Sequence, residues 1–234
     1  MRGVVVTGAS SGIGLEVSRM LCMRGYRVLG VARSRGRLEE ARRELGECFE
    51  YLAVDLADPS SVDAVAEAAE RLKPLRALVN NAGFGVAKPL TMHSPGELEE
   101  VFLVNAVRPL QLTLRLLGFL GEGSVVVFVV TAGVHVKLRS LPSYGAAKAA
   151  LHYAASLLAE ELRGRGVRVL RVYPGPVKTR FFERAGMRTP RWAVDASSVA
   201  RRIVDAIESG RGGAVYVPAW LNVFRLIPYL PVVF

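Results

Sequence analysis

Apolar positions along this chain fall into two alternating periods, one of short unbroken runs and one of helical spacing. Val4-Val5-Val6 is a run of β-branched residues, as expected of a parallel strand buried on both faces. The glycine-rich turn Thr7-Gly8-Ala9-Ser10-Ser11-Gly12-Ile13-Gly14 follows, and Ile13, Val17, Met20 and Leu21 then recur on one helical face as far as Gly25. Further strands are predicted at Arg27–Ala32, Tyr51–Val54, Ala77–Val79, Ser124–Val130, Arg168–Val172 and Ala214–Val217. Helices between them are marked by Leu38, Ala41 and Leu45, by Val62, Val65, Ala69 and Leu72, and by Leu98, Val101 and Phe102 after Ser94-Pro95. Two more run through Leu151, Ala155, Leu158 and Leu162 and through Val199, Ile203 and Ile207, with a basic loop before Trp192. No repeat or linker interrupts the alternation. The prediction is an α/β fold, a doubly wound parallel sheet in a single domain over residues 1–218, with an apolar tail at 219–234.

Charge changes this picture little. The formal net charge is +10, and 26 of the 31 basic residues are arginines. Such a balance suits nucleic acid, an anionic membrane surface or an anionic small ligand. The arginines are scattered without a basic-aromatic tract, so the expected partner is a small anionic ligand and no nucleic acid. Cys22 and Cys48 have no metal spacing and make no framework; they are expected to be reduced thiols of an intracellular, cytoplasmic protein. Met1-Arg2 runs directly into a strand and no apolar run reaches the ~20 residues that span a bilayer, so a soluble or peripheral protein is expected.

The strand ends carry the candidate chemistry. Glycines after the first strand let backbone N–H groups approach a pyrophosphate at the positive end of a helix. The second strand ends in Arg33, with no acid nearby. A carboxylate there would hold the ribose 2′-OH of NAD, whereas an arginine suits the 2′-phosphate of NADP. Asp55, before Leu56, is placed to meet the adenine end, while Asp58 before Pro59 fits the job of helix cap. Asn80-Asn81-Ala82-Gly83 suits close backbone approach to a flat ligand. Asn105, in an apolar helix, needs a buried partner: a structural hydrogen bond or a water held near the site. Thr131 ends the most apolar strand, thirteen residues before Tyr144. Tyr144 and Lys148 are four apart and share a helix face, which sets an ammonium beside a phenol and favours the phenolate.

These pieces, with Pro174-Gly175-Pro176-Val177-Lys178-Thr179, resemble in joint order the short-chain dehydrogenase/reductase family over roughly residues 2 to 217. The resemblance implies a Rossmann fold that moves a hydride between a nicotinamide, NADP rather than NAD, and a carbonyl or secondary alcohol, possibly a lipophilic one. It implies Tyr144 as general acid/base, Lys148 as the group that lowers its pKa and binds the nicotinamide ribose, and Asn105 as holder of a proton-relay water. Gly8, Ser10, Ser11, Gly12, Ile13 and Gly14 would line the pyrophosphate, Arg33 the 2′-phosphate, and Asp55 and Leu56 the adenine. Asn81, Ala82 and Gly83 would lie on the adenosine side, with Pro174, Gly175, Val177 and Thr179 at the carboxamide or phosphate. No metal is implied. The family usually has serine where this chain has Thr131, which keeps the hydroxyl but adds a methyl that narrows the pocket. A non-catalytic NADP sensor or scaffold is the competing function. Segments His135–Pro142 and Phe181–Trp192 are expected as pocket walls, and a homodimer or homotetramer as the assembly. In the tail, Trp220, Phe224 and Ile227 are expected over the pocket or a partner subunit; the alternative is a membrane-surface anchor with Trp220 and Tyr229 at headgroup level.

Overall fold

A computed structural model describes residues 2–226 of the chain. The first apolar run becomes β1 (Gly3–Thr7), and the glycine turn after it feeds α1 (Gly12–Met23). Next come β2 (Arg27–Ala32), α2 (Arg35–Leu45), β3 (Phe49–Ala53), α3 (Ser61–Ala69), β4 (Leu75–Asn80), α4 (Pro95–Phe102) and α5 (Arg108–Arg115). The second half holds β5 (Leu120–Val129), α6 (Pro142–Glu161), β6 (Arg168–Pro174), β7 (Val177–Lys178), α7 (Phe181–Arg184), β8 (Val194–Asp195), α8 (Ala196–Ser209) and β9 (Gly213–Val217). Seven strands form one parallel sheet in the order β3-β2-β1-β4-β5-β6-β9. The order reverses between β1 and β4, and a crevice opens there beyond the strand ends.

Successive residues of one strand enter different cores. Val5, Leu78, Val126 and Phe128 pack with α3, α5 and α6, while Val4, Val6, Ala77, Val79, Val125 and Val127 pack with α1 and α8. Each fully buried valine contributes about 1.5–3 kcal/mol relative to exposure, so unbroken apolar strands are stable only with helices on both faces.

Thr7 holds the crevice at its base. Its hydroxyl donates to Val79 O (3.3 Å) and accepts from the N–H groups of Asn81 and Ala82 (3.0 Å each). The Asn81 amide returns a bond to Thr7 O at 2.9 Å, so β1 and β4 are joined side chain to backbone where they diverge.

Two expectations need correction. Cys22 and Cys48 form a disulfide, with Cα atoms 5.5 Å apart. The turn of the chain through α1, β2 and α2 brings the end of one helix against the start of β3, a proximity that 26 residues of separation does not reveal. Cysteine usage therefore says nothing here of a reducing compartment. The basic stretch before Trp192 is not simply a loop: it contains α7, and β7 pairs with β8 so that both ends of segment 179–193 are tied together. The cap expected of Asp58 is in place: its carboxylate accepts from the Ser60 N–H and hydroxyl at 2.8 and 2.7 Å just before α3, while Ser60 has helical backbone and makes no side-chain cap bond of its own.

Thr7→Val keeps the shape of the side chain but orphans two backbone N–H groups at the crevice floor. It should lower unfolding free energy by about 1–3 kcal/mol in urea titrations, with Thr7→Ser losing much less. Equal stability of all three proteins would contradict the clamp.

Candidate active site

The phosphate end of the crevice is built by glycine geometry. Gly8 (φ +69°) and Gly12 (φ +56°) take left-handed backbone, and a Cβ on Gly14 would lie 2.4 Å from Gly8 O. The helix therefore starts hard against the strand end. Ser11 caps α1 without a side-chain hydrogen bond, and the first turn holds no acid, so its leading N–H groups and the helix dipole face the cavity uncompensated. That cradle fits a pyrophosphate. Gly8, Ser10, Ser11, Gly12 and Ile13 line the cavity; Gly14 does not, and acts by packing.

Beyond the end of β2, Arg33, Asp55 and Leu56 line the same cavity, together with Arg37 and Arg184, which no motif had singled out. Arg33 is 57% exposed and lies 3.5 Å from Asp55. Asp55 also accepts from the Ala57 N–H at 2.9 Å. The loop carrying Leu56 is held from below by buried Arg108, whose Nε donates to Leu56 O (2.6 Å) and whose Nη2 donates to Asp58 O (2.9 Å).

Tyr144, Lys148 and Thr131 line the central part, with Ala82 and Gly83 on one side and Pro174, Gly175, Val177 and Thr179 on the other. The ammonium of Lys148 is 5.9 Å from the Tyr144 ring centre and donates to Val129 O at 2.9 Å. Burial sets both titrations. It lowers the Lys148 pKa to about 7 and pushes the Tyr144 phenol above its ordinary value. The sequence-based expectation of a lowered phenol pKa is thus not what this geometry gives, because burial disfavours the phenolate. Thr131 Oγ1 accepts from the Gly133 N–H (3.1 Å) and donates to Pro174 O over 3.4 Å, a long bond that a better acceptor can displace.

Asn105 lies behind the wall rather than in it, at the centre of a π-helical turn, Leu103–Val107, between α4 and α5. Pro109 has no N–H for the Asn105 carbonyl four residues back, and the Arg108 N–H reaches five back to Leu103 O. The amide Nδ2 donates to Phe84 O and Val101 O, both at 2.9 Å. Two carbonyl partners fix its orientation, so the structural hydrogen bond is present. Oδ1 is buried without a partner, and a Cβ on Gly83 would sit 2.6 Å from it and 3.5 Å from Lys148 Nζ.

A histidine–tyrosine cluster braces the turn after Thr131. His135 Nε2 meets Tyr216 OH and His152 Nδ1 meets Tyr173 OH, each at 2.8 Å, while the two tyrosines stack at 4.5 Å. Burial lowers both histidine pKa values, helped at His135 by Arg225.

The outer cavity is apolar. Val136, Leu138 and Leu141 come from the segment before α6, and Phe181, Phe182, Met187 and Trp192 from the segment after β7, as the two expected walls. Phe181 packs 5.0 Å from the Tyr144 ring. Leu221 and Phe224, from the 3-10 segment Ala219–Leu226, complete it; Trp220 is 57% exposed and packs edge-on against Phe224. Ile227 and Tyr229 lie outside the described residues. The whole cavity measures about 830 Å³.

The short chain dehydrogenase family profile matches residues 2–188. The chain belongs to that family. It is 34% identical over 206 residues to the uncharacterized oxidoreductase YbbO of Escherichia coli K12, covering 86% of this chain and 75% of the relative. It is 32% identical over 195 residues to the NADPH-dependent 3-dehydrocapnine reductase of Ornithobacterium rhinotracheale, covering 79% and 69%. A Burkholderia phymatum short chain dehydrogenase/reductase solved with NAD superposes with a TM-score of 0.87 at 21% identity, covering 100% and 98%, a likeness of fold. This dehydrogenase is accordingly an oxidoreductase of the Rossmann type. Among its described residues no three metal-ligating side chains cluster, and no helix is long and apolar enough to cross a membrane.

What the sequence reading of this dehydrogenase missed is mostly arginine. Arg180, Arg184 and Arg188 recur every four residues and all reach the cavity, a spacing visible in the sequence but lost among 26 arginines.

Burial of Lys148 makes stability depend on pH. The folded pKa of about 7 lies below the unfolded value of ~10.4, so between them the unfolded chain holds a proton that the folded chain lacks, and stability rises with pH. The unfolding free energy of wild type minus that of Lys148→Met should increase by at least about 1 kcal/mol from about pH 6.5 to about pH 9. A difference flat across that window would refute a buried, depressed amine.

Proposed function

We propose that this dehydrogenase moves a hydride between NADP(H) and an apolar carbonyl compound or secondary alcohol, with Tyr144 as the general acid/base. The observation carrying the reading is that one cavity joins an anion cradle, the Tyr144–Lys148 pair and an apolar outer wall. The NADPH dependence named for the Ornithobacterium relative supports the cofactor, as do the arginines at the adenosine end. When bound, the nicotinamide supplies or takes the hydride.

The chain's own residues do the rest. In reduction Tyr144 gives its phenolic proton to the substrate oxygen. Thr131 turns its hydroxyl from the long bond to Pro174 O and donates to the same oxygen as negative charge grows. Lys148, near half-protonated at neutrality, places an ammonium beside the phenol and stabilises the phenolate left behind. Asn105 Oδ1, buried without a partner, is left to accept from a water that returns the proton, the relay role proposed for Asn105. Phe181, Met187 and Leu221 exclude bulk water and favour substrates without charge. Leu221 and Phe224 favour the tail as a wall of the site over a membrane anchor. Exposed Leu114, Tyr153 and Leu157 on α5 and α6 suit burial in a homodimer or homotetramer.

With NADPH and a panel of aliphatic and aromatic ketones and aldehydes, wild type should consume NADPH, followed by absorbance. Tyr144→Phe should abolish turnover while NADPH binding persists, and Thr131→Ala should cost on the order of 10² in kcat. Thr131→Ser should keep the rate on small ketones and accept bulkier ones. Undiminished turnover in Tyr144→Phe would overturn the mechanism, and wild type that binds NADPH but reduces nothing would favour the sensor reading.

A further inference from the structure

The segment that walls the substrate end also carries charge to the adenosine end. On α7, Phe181 packs against Tyr144, while Arg184, three residues on, lines the cavity with Arg33 and Arg37. One short helix thus touches both the reacting end and the far end of the crevice. Arg180 and Arg188 flank it, and pairing of β7 with β8 closes the segment into a loop rooted at one point on the body.

These guanidiniums repel one another. Arg37, Arg180 and Arg33, in that order, oppose the charge on Arg184 after desolvation, with Glu183 alone opposing them. Arg33 has Asp55 and Arg180 has Glu183, both at 3.5 Å, whereas neither Arg37 nor Arg184 enters an ion pair among the described residues. Like charges drawn together without counterions form a site for a compact, multiply charged anion. A phosphate monoester carries about −1.5 to −2 at neutral pH and offers three acceptor oxygens.

We propose that Arg184 is a ligand of the cofactor 2′-phosphate contributed from the substrate side, completing a clamp with Arg33 and Arg37, so that filling the phosphate subsite fastens segment 179–193 in its place over the substrate cavity. The proposal rests on the NADP reading above and adds that cofactor choice and the hold on the substrate wall are coupled. NAD, lacking the phosphate, leaves the arginines without a counterion and the wall less firmly held.

The test uses binding and proteolysis of the full chain. Its probes are adenosine 2′,5′-bisphosphate and 5′-AMP, and its protease is trypsin, read by mass spectrometry at Arg188. In wild type the bisphosphate should slow cleavage at Arg188 and 5′-AMP should not. Arg184→Met should weaken bisphosphate binding about tenfold by calorimetry, leave 5′-AMP affinity within about twofold and abolish protection at Arg188, with Arg184→Lys intermediate. Circular dichroism confirms that each variant is folded. If Arg33→Ala weakens bisphosphate binding but Arg184→Met does not, the assignment of Arg184 is wrong and the NADP reading stands. If Arg33→Ala also leaves the preference for the bisphosphate unchanged, the NADP reading falls with it. Equal protection by 5′-AMP would likewise overturn the coupling.

Discussion

The crevice depends on the hydroxyl of Thr7. Where the strand order reverses, β1 and β4 stop sharing a ladder and their last backbone groups need other partners. Thr7 supplies them with three hydrogen bonds from one buried oxygen, and Asn81 adds a fourth in return. One side of the site hangs from those two strand ends: the glycine turn and α1 follow β1, and the Ala82–Gly83 wall follows β4. Even Asn105, two helices away, is held in place through Phe84.

Burial then decides how Tyr144 and Lys148 hold their protons. The same apolar walls that exclude water push Tyr144 and Lys148 toward their neutral forms, so neither group is poised by the other alone. A lysine near half-protonation is the group most easily moved by a change in local charge. The site is thus organised to respond when anionic and polar groups enter the crevice, and the long Thr131–Pro174 contact is a bond that can be given up as they do.

Charge is distributed unevenly along the cavity. One end of it holds Arg33, Arg37 and Arg184, its middle holds the helix N-terminus, and its outer wall is built from Phe181, Phe182, Met187, Trp192, Leu221 and Phe224. One end suits a polyanion and the other an uncharged carbon skeleton. Segment 179–193 contributes to both, which makes it the part of the fold through which the two ends can sense one another.

The sequence by itself determined the sheet, its helices and the phosphate cradle, because these rest on local patterns. Unbroken β-branched runs need burial on two faces, and Gly8, Gly12 and Gly14 mark a turn that larger residues cannot make. The Tyr144–Lys148 spacing likewise placed both side chains on one helix face. Only the tertiary structure decided what depends on residues far apart in the chain. Cys22 meets Cys48 through the crossover of α1 and α2, Arg184 lines the same cavity as Arg33, and Leu221 reaches the pocket from beyond the last strand. The sign of the Tyr144 shift belongs with these, since it follows from how many atoms from other elements displace water around the phenol, a quantity that no spacing along the chain encodes.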